Sequence, residues 1–388
     1  MNGPLDWLGD LRPSLRASKE AWAAWRRLDA DLETLAAADP GRGDQRARSS
    51  WLALIRRDLA AHVPPEGTGA ALWQAGAQFI SGYRDLDLRE ATGAGHGQMI
   101  LDHAVPALAD MWRARLAGGD LVGIAATEAH GGSRIQEITT RAAETTDGAW
   151  KITGEKCWVS RLEESSAFVV FVRDPAGQIA AVVVDADAPG LHRQVIDPAG
   201  LGGWTWGLVA FDNVTVDPEQ HLLGGPGQGL AIFQSHFARF RPLVTACALG
   251  CAAGVLDQVR SMLVAKRATG ILPRIRDNAL IELGAAWADI TASALLAFHG
   301  LAEAGAASDL AARLGKAHGV DAACRAVNRL APLVGAAGFQ RHHPIAKARF
   351  DLAALQYADG IHDSLYRSGG SELLRTVGSP AAAWGRAA

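Results

Sequence analysis

The chain is poor in cysteine, with 4 in 388 residues. Cys157, Cys247, Cys251 and Cys324 stand apart in apolar surroundings, and no Cys-x-x-Cys pair occurs. Neither a disulfide scaffold nor a cysteine metal site is expected. Charge is also scarce, at 20% of residues with a net charge of -3. That balance gives no basis for a nucleic-acid or anionic-membrane partner. No apolar run approaches the roughly 18 residues of a membrane span, and the polar start at Met1–Arg12 lacks a signal peptide's basic-then-apolar order. The expectation is a cytoplasmic protein. No G-x-G-x-x-G opens a helix after a strand, so a Rossmann site is not expected. Gly224–Gly229 is not followed by Lys-Ser/Thr and is no P-loop, and G-x-S-x-G, H-E-x-x-H and EF-hand patterns are missing. His342-His343, beside Pro344, has no carboxylate at ligand spacing, so no metal is expected. What is plentiful is apolar: 49% of residues are hydrophobic, enough for a sizeable core.

Three textures follow one another. From about Ser14 to Leu116 the chain reads as helices, with Trp22, Trp25, Leu28, Leu32 and Leu35 at three- and four-residue steps. Pro40-Gly41-Arg42-Gly43 and Pro64-Pro65-Glu66-Gly67 break this pattern. Trp51, Leu52, Leu54, Ile55 and Leu59 resume it between the breaks, and Leu101–Leu116 makes a further helix. From Leu121 to His221 short β-rich runs alternate with turn residues. Asp147-Gly148 before Trp150 signals a hairpin, and Ala167–Val172 and Ile179–Val184 are strand-like. Beyond Gly224–Gly229 the chain is helical again, in four long segments: Ala231–Lys266, Ala279–Ala302, Asp309–Gly335 and Ile345–Leu374. Short loops between them suit an antiparallel four-helix bundle. The expected fold class is α+β, with domains at 1–119 (helical), 120–223 (β, barrel-like) and 224–388 (helical bundle).

Three segments carry the chemistry when taken together: Thr127-Glu-Ala-His-Gly-Gly-Ser133, Gly154-Glu-Lys-Cys-Trp-Val-Ser160 and Gln356-Tyr-Ala-Asp-Gly360. Small residues at Gly131, Gly132 and Ser133 let backbone N–H groups approach a flat ring or a phosphate, although alone they read as a tight turn. Trp158 offers a flat face and Ser160 a hydroxyl, although alone Trp158 reads as core packing. In this order, on an α–β–α frame, the trio resembles the acyl-CoA dehydrogenase superfamily. Its pattern runs Thr-Glu-x-x-x-Gly-Ser, then Gly-Glu-Lys-x-Trp-Ile-Thr/Ser, then Tyr-Glu-Gly-Thr. The likeness covers roughly Leu121 to Tyr366, and the first hundred residues match only in being helical.

The resemblance implies FAD between the β-domain and the bundle, with Thr127, Gly132, Ser133, Trp158 and Ser160 at the flavin. It places Arg241, of Arg241-Pro242, on the substrate side. Arg267, with Gly335 and Ala336 of the Gly-Ala-Ala-Gly-Phe run, would lie at the pyrophosphate and adenine side of a neighbouring subunit's FAD. A homodimer or homotetramer is therefore expected. The family base, a glutamate, falls on Asp359 when counted from Asp351, which shortens the arm by one methylene. His362 and Glu372 are weaker candidates for that base. Trp204 and Trp206 stand where the family has small polar residues at the substrate rim. The expected activity is α,β-dehydrogenation of an acyl thioester on CoA or a carrier protein, the group being a specialised biosynthetic one. A flavoprotein or oxygen would take the electrons. Two alternatives remain open: a flavin oxidase or monooxygenase of the same superfamily, and a flavin-free binding or scaffold relative.

Overall fold

The computed structural model describes residues 3–15, 17–40, 45–60, 62, 69–304 and 309–376. Gly41–Gly43 and Pro64–Gly67, read above as breaks, lie outside the described residues. The first helices are α1 (Pro4–Asp10), α2 (Arg12–Leu15), α3 (Lys19–Ala36), α4 (Gln45–Leu59) and α5 (Ala70–Arg84). Ser18 caps α3 by accepting from the Ala21 N–H. Its predicted stripe faces inward, with Trp22, Trp25, Leu28 and Leu32 buried. Tryptophan does more here than fill space. The indole N–H groups of Trp7 and Trp25 donate to Asp257 and to the Trp73 carbonyl, at 2.9 Å each, and so tie the N-terminal helices inward. The helix expected over Leu101–Leu116 is two, α6 (Gln98–His103) and α7 (Pro106–Ala117). Pro106 disfavours helical backbone in the residue before it and opens the second helix instead.

Seven strands follow: β1 (Val122–Ala125), β2 (Arg141–Glu144), β3 (Trp150–Ser160), β4 (Ala167–Arg173), β5 (Ile179–Asp185), β6 (Leu191–Ile196) and β7 (Trp206–Val216). They form one sheet in the order β1-β4-β2-β3-β7-β6, with β5 paired to β4. The Asp147-Gly148 signal closes the β2–β3 hairpin, and Gly148 takes a positive φ of 84°. The β4–β5 pair is buried along nearly its whole length, which is why those strands read as unbroken apolar runs.

After the short α8 (Pro218–His221) come α9 (Gly229–Ala268), α10 (Asp277–Ala304), α11 (Asp309–Val334), α12 (Pro344–Leu355) and α13 (His362–Thr376). Helix α9 is the axis of the molecule, packing on α5, α10 and α11. It meets α5 backbone to backbone: a Cβ on Gly250 would lie 2.1 Å from the Phe79 carbonyl oxygen. Helices α9 and α10 are long and apolar enough to cross a membrane by length and composition. The apolar window of α9 is 89% buried within the protein and that of α10 28%. Thus α9 is a core helix, while α10 keeps Leu280, Ile281, Trp287 and Leu296 open. The segment expected as one helix over Ile345–Leu374 is interrupted between Leu355 and His362. The break carries Asp359, the expected base.

Candidate active site

The first two motif segments are held together by the charged residues inside them. Glu128 is buried and accepts five hydrogen bonds, from the backbone and hydroxyl of Thr139 and Thr140 and from Lys156 Nζ at 2.8 Å. Lys156, also buried, donates as well to the Ala126 carbonyl. The Cys157 N–H donates to the Thr127 carbonyl at 2.9 Å, bringing the 127–133 turn against β3. Burial opposes ionisation of Glu128, but the lysine and the threonine donors hold its pKa down to about 2 from the ordinary 4.5. With a folded pKa below the unfolded one, its stabilisation is present above about pH 4.5 and is lost as pH falls through about 2. Glu128→Gln strands Lys156 and is expected to cost about 3 kcal/mol near neutral pH, with little loss near pH 2, where the wild-type carboxyl is itself protonated. Denaturant midpoints taken at the two pH values check this.

Trp158 is the most unusual residue of the sheet. It has a φ of 58°, left-handed backbone that a bulky side chain avoids, and its side chain is 65% exposed. The cause is a register shift between Lys156 and Val159 in the β3–β7 pairing, a bulge that turns the indole out of the sheet. Such strain, about 1–3 kcal/mol, is characteristic of a functional position. Ser160 is nearly buried, and among the described residues its hydroxyl has no hydrogen-bond partner. An outward indole beside a spare hydroxyl fits a flat polar-edged ring. Trp206 is the cross-strand neighbour of Ser160 and donates to the Leu201 carbonyl at 3.0 Å. Gly132 sits against Thr127, whose hydroxyl oxygen would be 2.8 Å from an added Cβ, while Ser133 is exposed.

The third segment approaches from the bundle. In the break between α12 and α13, Asp359 and Gly360 both take positive φ, 58° and 114°. Such a pair cannot continue a right-handed helix, which explains the interruption. Lys316 of α11, fully buried, donates three hydrogen bonds of 2.7 Å to the carbonyls of Leu355, Ala358 and Gly360. One ammonium group therefore closes the end of α12 and shapes the turn that carries Asp359. Desolvation pulls the Lys316 pKa down to about 7, against the pull of Asp359 in the other direction. Arg241 of α9 donates from Nε to the Asp359 carbonyl at 3.1 Å and lies over the Phe237 ring. The Asp359 carboxyl is pushed above the usual carboxylate range by desolvation, while Lys316, Arg89 and Arg161 draw it back. Arg161 directly follows Ser160. Its charge is among those that draw the Asp359 pKa down.

A cavity of about 260 Å³ lies between the turn after α5 and the first half of α9. Arg89, Glu90, Gln78 and His236 line it. His236 Nε2 lies 2.9 Å from His96 Nδ1, and burial holds both rings neutral, His236 down to about 3. Other expected residues fall elsewhere. Trp204 is not at a rim: it is fully buried in the helical core and donates to the Asp87 carbonyl at 2.8 Å. Arg267 is exposed at the far end of α9, about 39 Å along the axis from Arg241 at 1.5 Å per residue. Gly335, at φ 75°, and Ala336 lie in an exposed turn after α11. These three are outside this subunit's Asp359 site. His362 Nδ1 donates to the Asp321 carboxylate at 2.8 Å, and Glu372 pairs with Arg313, so neither competes for the place of Asp359. Asp85, Asp87 and Asp351 crowd together, but Lys347 pairs with all three, which makes the group an ion-pair network.

The family models for the acyl-CoA dehydrogenase middle domain and C-terminal domain match residues 123–214 and 227–370, well over half of the chain. The chain belongs to the acyl-CoA dehydrogenase family of enzymes. A probable short/branched chain specific acyl-CoA dehydrogenase of Dictyostelium discoideum is 25% identical over 64% of this chain, a match spanning 62% of that relative's length. Among solved structures, a glutaryl-CoA dehydrogenase from Mycobacterium smegmatis in complex with FADH2 superposes with a TM-score of 0.79. It is 18% identical, over 96% of this chain and 98% of that one. The prolyl acyl carrier protein oxidase AnaB superposes with a TM-score of 0.73 at 16% identity, over 92% and 99%. Measured against the acyl-CoA dehydrogenase models, Thr127 to Ser160 fall in the middle-domain match, and Arg241, Lys316 and Asp359 in the C-terminal one. Arg89, Glu90 and His96 of the cavity region precede both.

Proposed function

We propose that this protein is an FAD-dependent α,β-dehydrogenase acting on an acyl thioester carried by CoA or by the phosphopantetheine of a carrier protein. The observation that supports it most is that two motif positions are backbone outliers, the outward Trp158 and, in the helix break, Asp359, both at φ 58°. The charge of Arg161, next to Ser160, acts on the Asp359 carboxyl. Trp158 would stack on the flavin, and Ser160 and Thr127 would hydrogen-bond its polar edge. Bound there, FAD supplies the acceptor for the hydride that leaves Cβ of the acyl group. Asp359 takes the proton from Cα. Desolvation makes its carboxylate a stronger base, and the surrounding cations keep a useful fraction of it ionised. Arg241 and Lys316 fix the backbone on both sides of that carboxylate, so its short arm is compensated by a rigid mount.

The exposed Arg267 and the open apolar side of α10 support assembly into a dimer or tetramer in which one subunit's arginine serves another's FAD. A second reading, a flavin oxidase of the same family, keeps the same residues and differs in passing electrons to oxygen. It is favoured by aspartate in the place of the family glutamate. Stoichiometric oxygen consumption distinguishes it from a dehydrogenase that needs a flavoprotein acceptor. The test of the cofactor is a visible absorption spectrum before and after FAD addition and desalting. About one flavin per chain is expected, with a Trp158→Ala variant retaining markedly less. A protein that stays colourless after FAD addition would rule out the flavin chemistry.

A further inference from the structure

Arg89 lines the 260 Å³ cavity, and its side chain is only 9% exposed. Its Nε lies 3.4 Å from Glu90, but its Nη1 is buried with no hydrogen-bond partner. Arg161 pairs with the same Glu90 carboxylate and leaves Nε and Nη2 buried and unpartnered. Arg56 stands close by and donates to the carbonyls of Gly93 and Leu116, its Nε being buried without a partner. Three buried guanidinium groups thus gather near Glu90, with Asp359 and Asp87 also acting on Arg89, and four of their nitrogens lack an acceptor among the described residues. A buried donor without an acceptor is costly to keep. Phe240, Leu243, Val244 and Leu301 give the cavity an apolar wall that suits a hydrocarbon chain, so its polar groups are gathered at one part of the lining. Gln78 is nearly buried and makes only a 3.4 Å contact to Thr92, and the neutral His236 faces in beside it. Arg89 and Glu90, which line the cavity, both act on the Asp359 carboxyl through their charges.

We infer that the cavity receives the far end of an acyl group that ends in a carboxylate, with Arg89 as the residue that recognises it. The inference rests on the thioester reading above and adds the class of acyl group. A terminal carboxylate supplies the acceptor that Arg89 Nη1 lacks, whereas a methyl end does not. Glu90 then serves to hold Arg89 and Arg161 in place.

The test is calorimetric titration of the FAD-treated Asp359→Asn protein, in which turnover is strongly slowed, with S-glutaryl-pantetheine and S-pentanoyl-pantetheine. The two probes share the carrier portion and chain length and differ at the end group. The glutaryl thioester is expected to bind about 10-fold more tightly, and Arg89→Gln is expected to erase that difference. Gln78→Leu, an apolar change in the same wall, gives a second reading if Arg89→Gln fails to fold. It is expected to narrow the preference by improving pentanoyl binding. Equal or tighter binding of the pentanoyl thioester to the parent protein would overturn the inference while leaving the thioester reading intact. If neither thioester binds but free glutarate does, and Arg89→Gln abolishes it, the anion site stands and the thioester reading falls.

Discussion

Replacing Asp359 by asparagine is expected to lower kcat by roughly 10²–10⁴-fold, the range typical of a lost general base. The substitution isolates the charge from the backbone. Asp359 sits at φ 58°, a region that asparagine tolerates better than almost any other side chain with a Cβ. The turn on Lys316 and Arg241 should therefore survive, and flavin content should be unchanged. Asp359→Ala, which adds strain at the same φ, would confuse loss of the base with loss of the turn. Stopped-flow reduction of the flavin under anaerobic conditions measures the effect. An unchanged rate in Asp359→Asn would remove the residue from the mechanism.

The second large effect is expected at Lys316, which touches neither the ring face nor the cavity described above. Lys316→Met removes the three bonds that hold the carbonyls of Leu355, Ala358 and Gly360. The carboxylate of Asp359 is then free to drift, and a displacement of roughly 1 Å costs on the order of 100-fold in rate. Because substrate contacts are untouched, kcat should fall much more than KM rises. The pH profile gives the signature that a merely structural residue would not. Lys316 draws the Asp359 pKa downward, so removing its charge raises that pKa further. The acidic limb of the kcat profile, where activity appears as Asp359 ionises, should move to higher pH. A variant that loses thermal stability with an unmoved limb would show Lys316 to be packing only.

Much of this layout was legible in the residues, and the gaps have physical causes. The change from 3.6-residue to two-residue periodicity near Leu121, and back after Gly229, marks the passage from helices to sheet and to the long helices. The position of Asp359 followed from counting along a motif. Its conformation did not, because Asp-Gly at the end of an Ala- and Leu-rich stretch reads equally as a cap or as a break between two helices. Lys316 lies in the sequence as one more cation on an amphipathic helix, and only tertiary packing reveals that it is fully buried on three carbonyls. Glu128 and Lys156 were visible inside the motifs, but their pairing across 28 residues depends on the sheet register. Trp204 was misplaced because a Gly-rich loop suggests exposure. Gly203 instead packs against Asp87, where a Cβ would come within 2.4 Å, and so seats the neighbouring indole in the core. Arg89 carried no signal at all, since nothing in its local sequence distinguishes it from a solvated arginine.

The most direct measurement is an anaerobic single-turnover experiment in which the FAD-loaded protein is mixed with an acyl thioester and its Cα-dideuterated form. Flavin bleaching with a matching amount of 2-enoyl product is expected. Deuterium at Cα should slow the bleaching in the wild type, and Asp359→Asn should bleach at least 100-fold more slowly. Bleaching without enoyl product, or at the same rate in Asp359→Asn as in the wild type, would contradict proton removal by Asp359 and the dehydrogenation built on it.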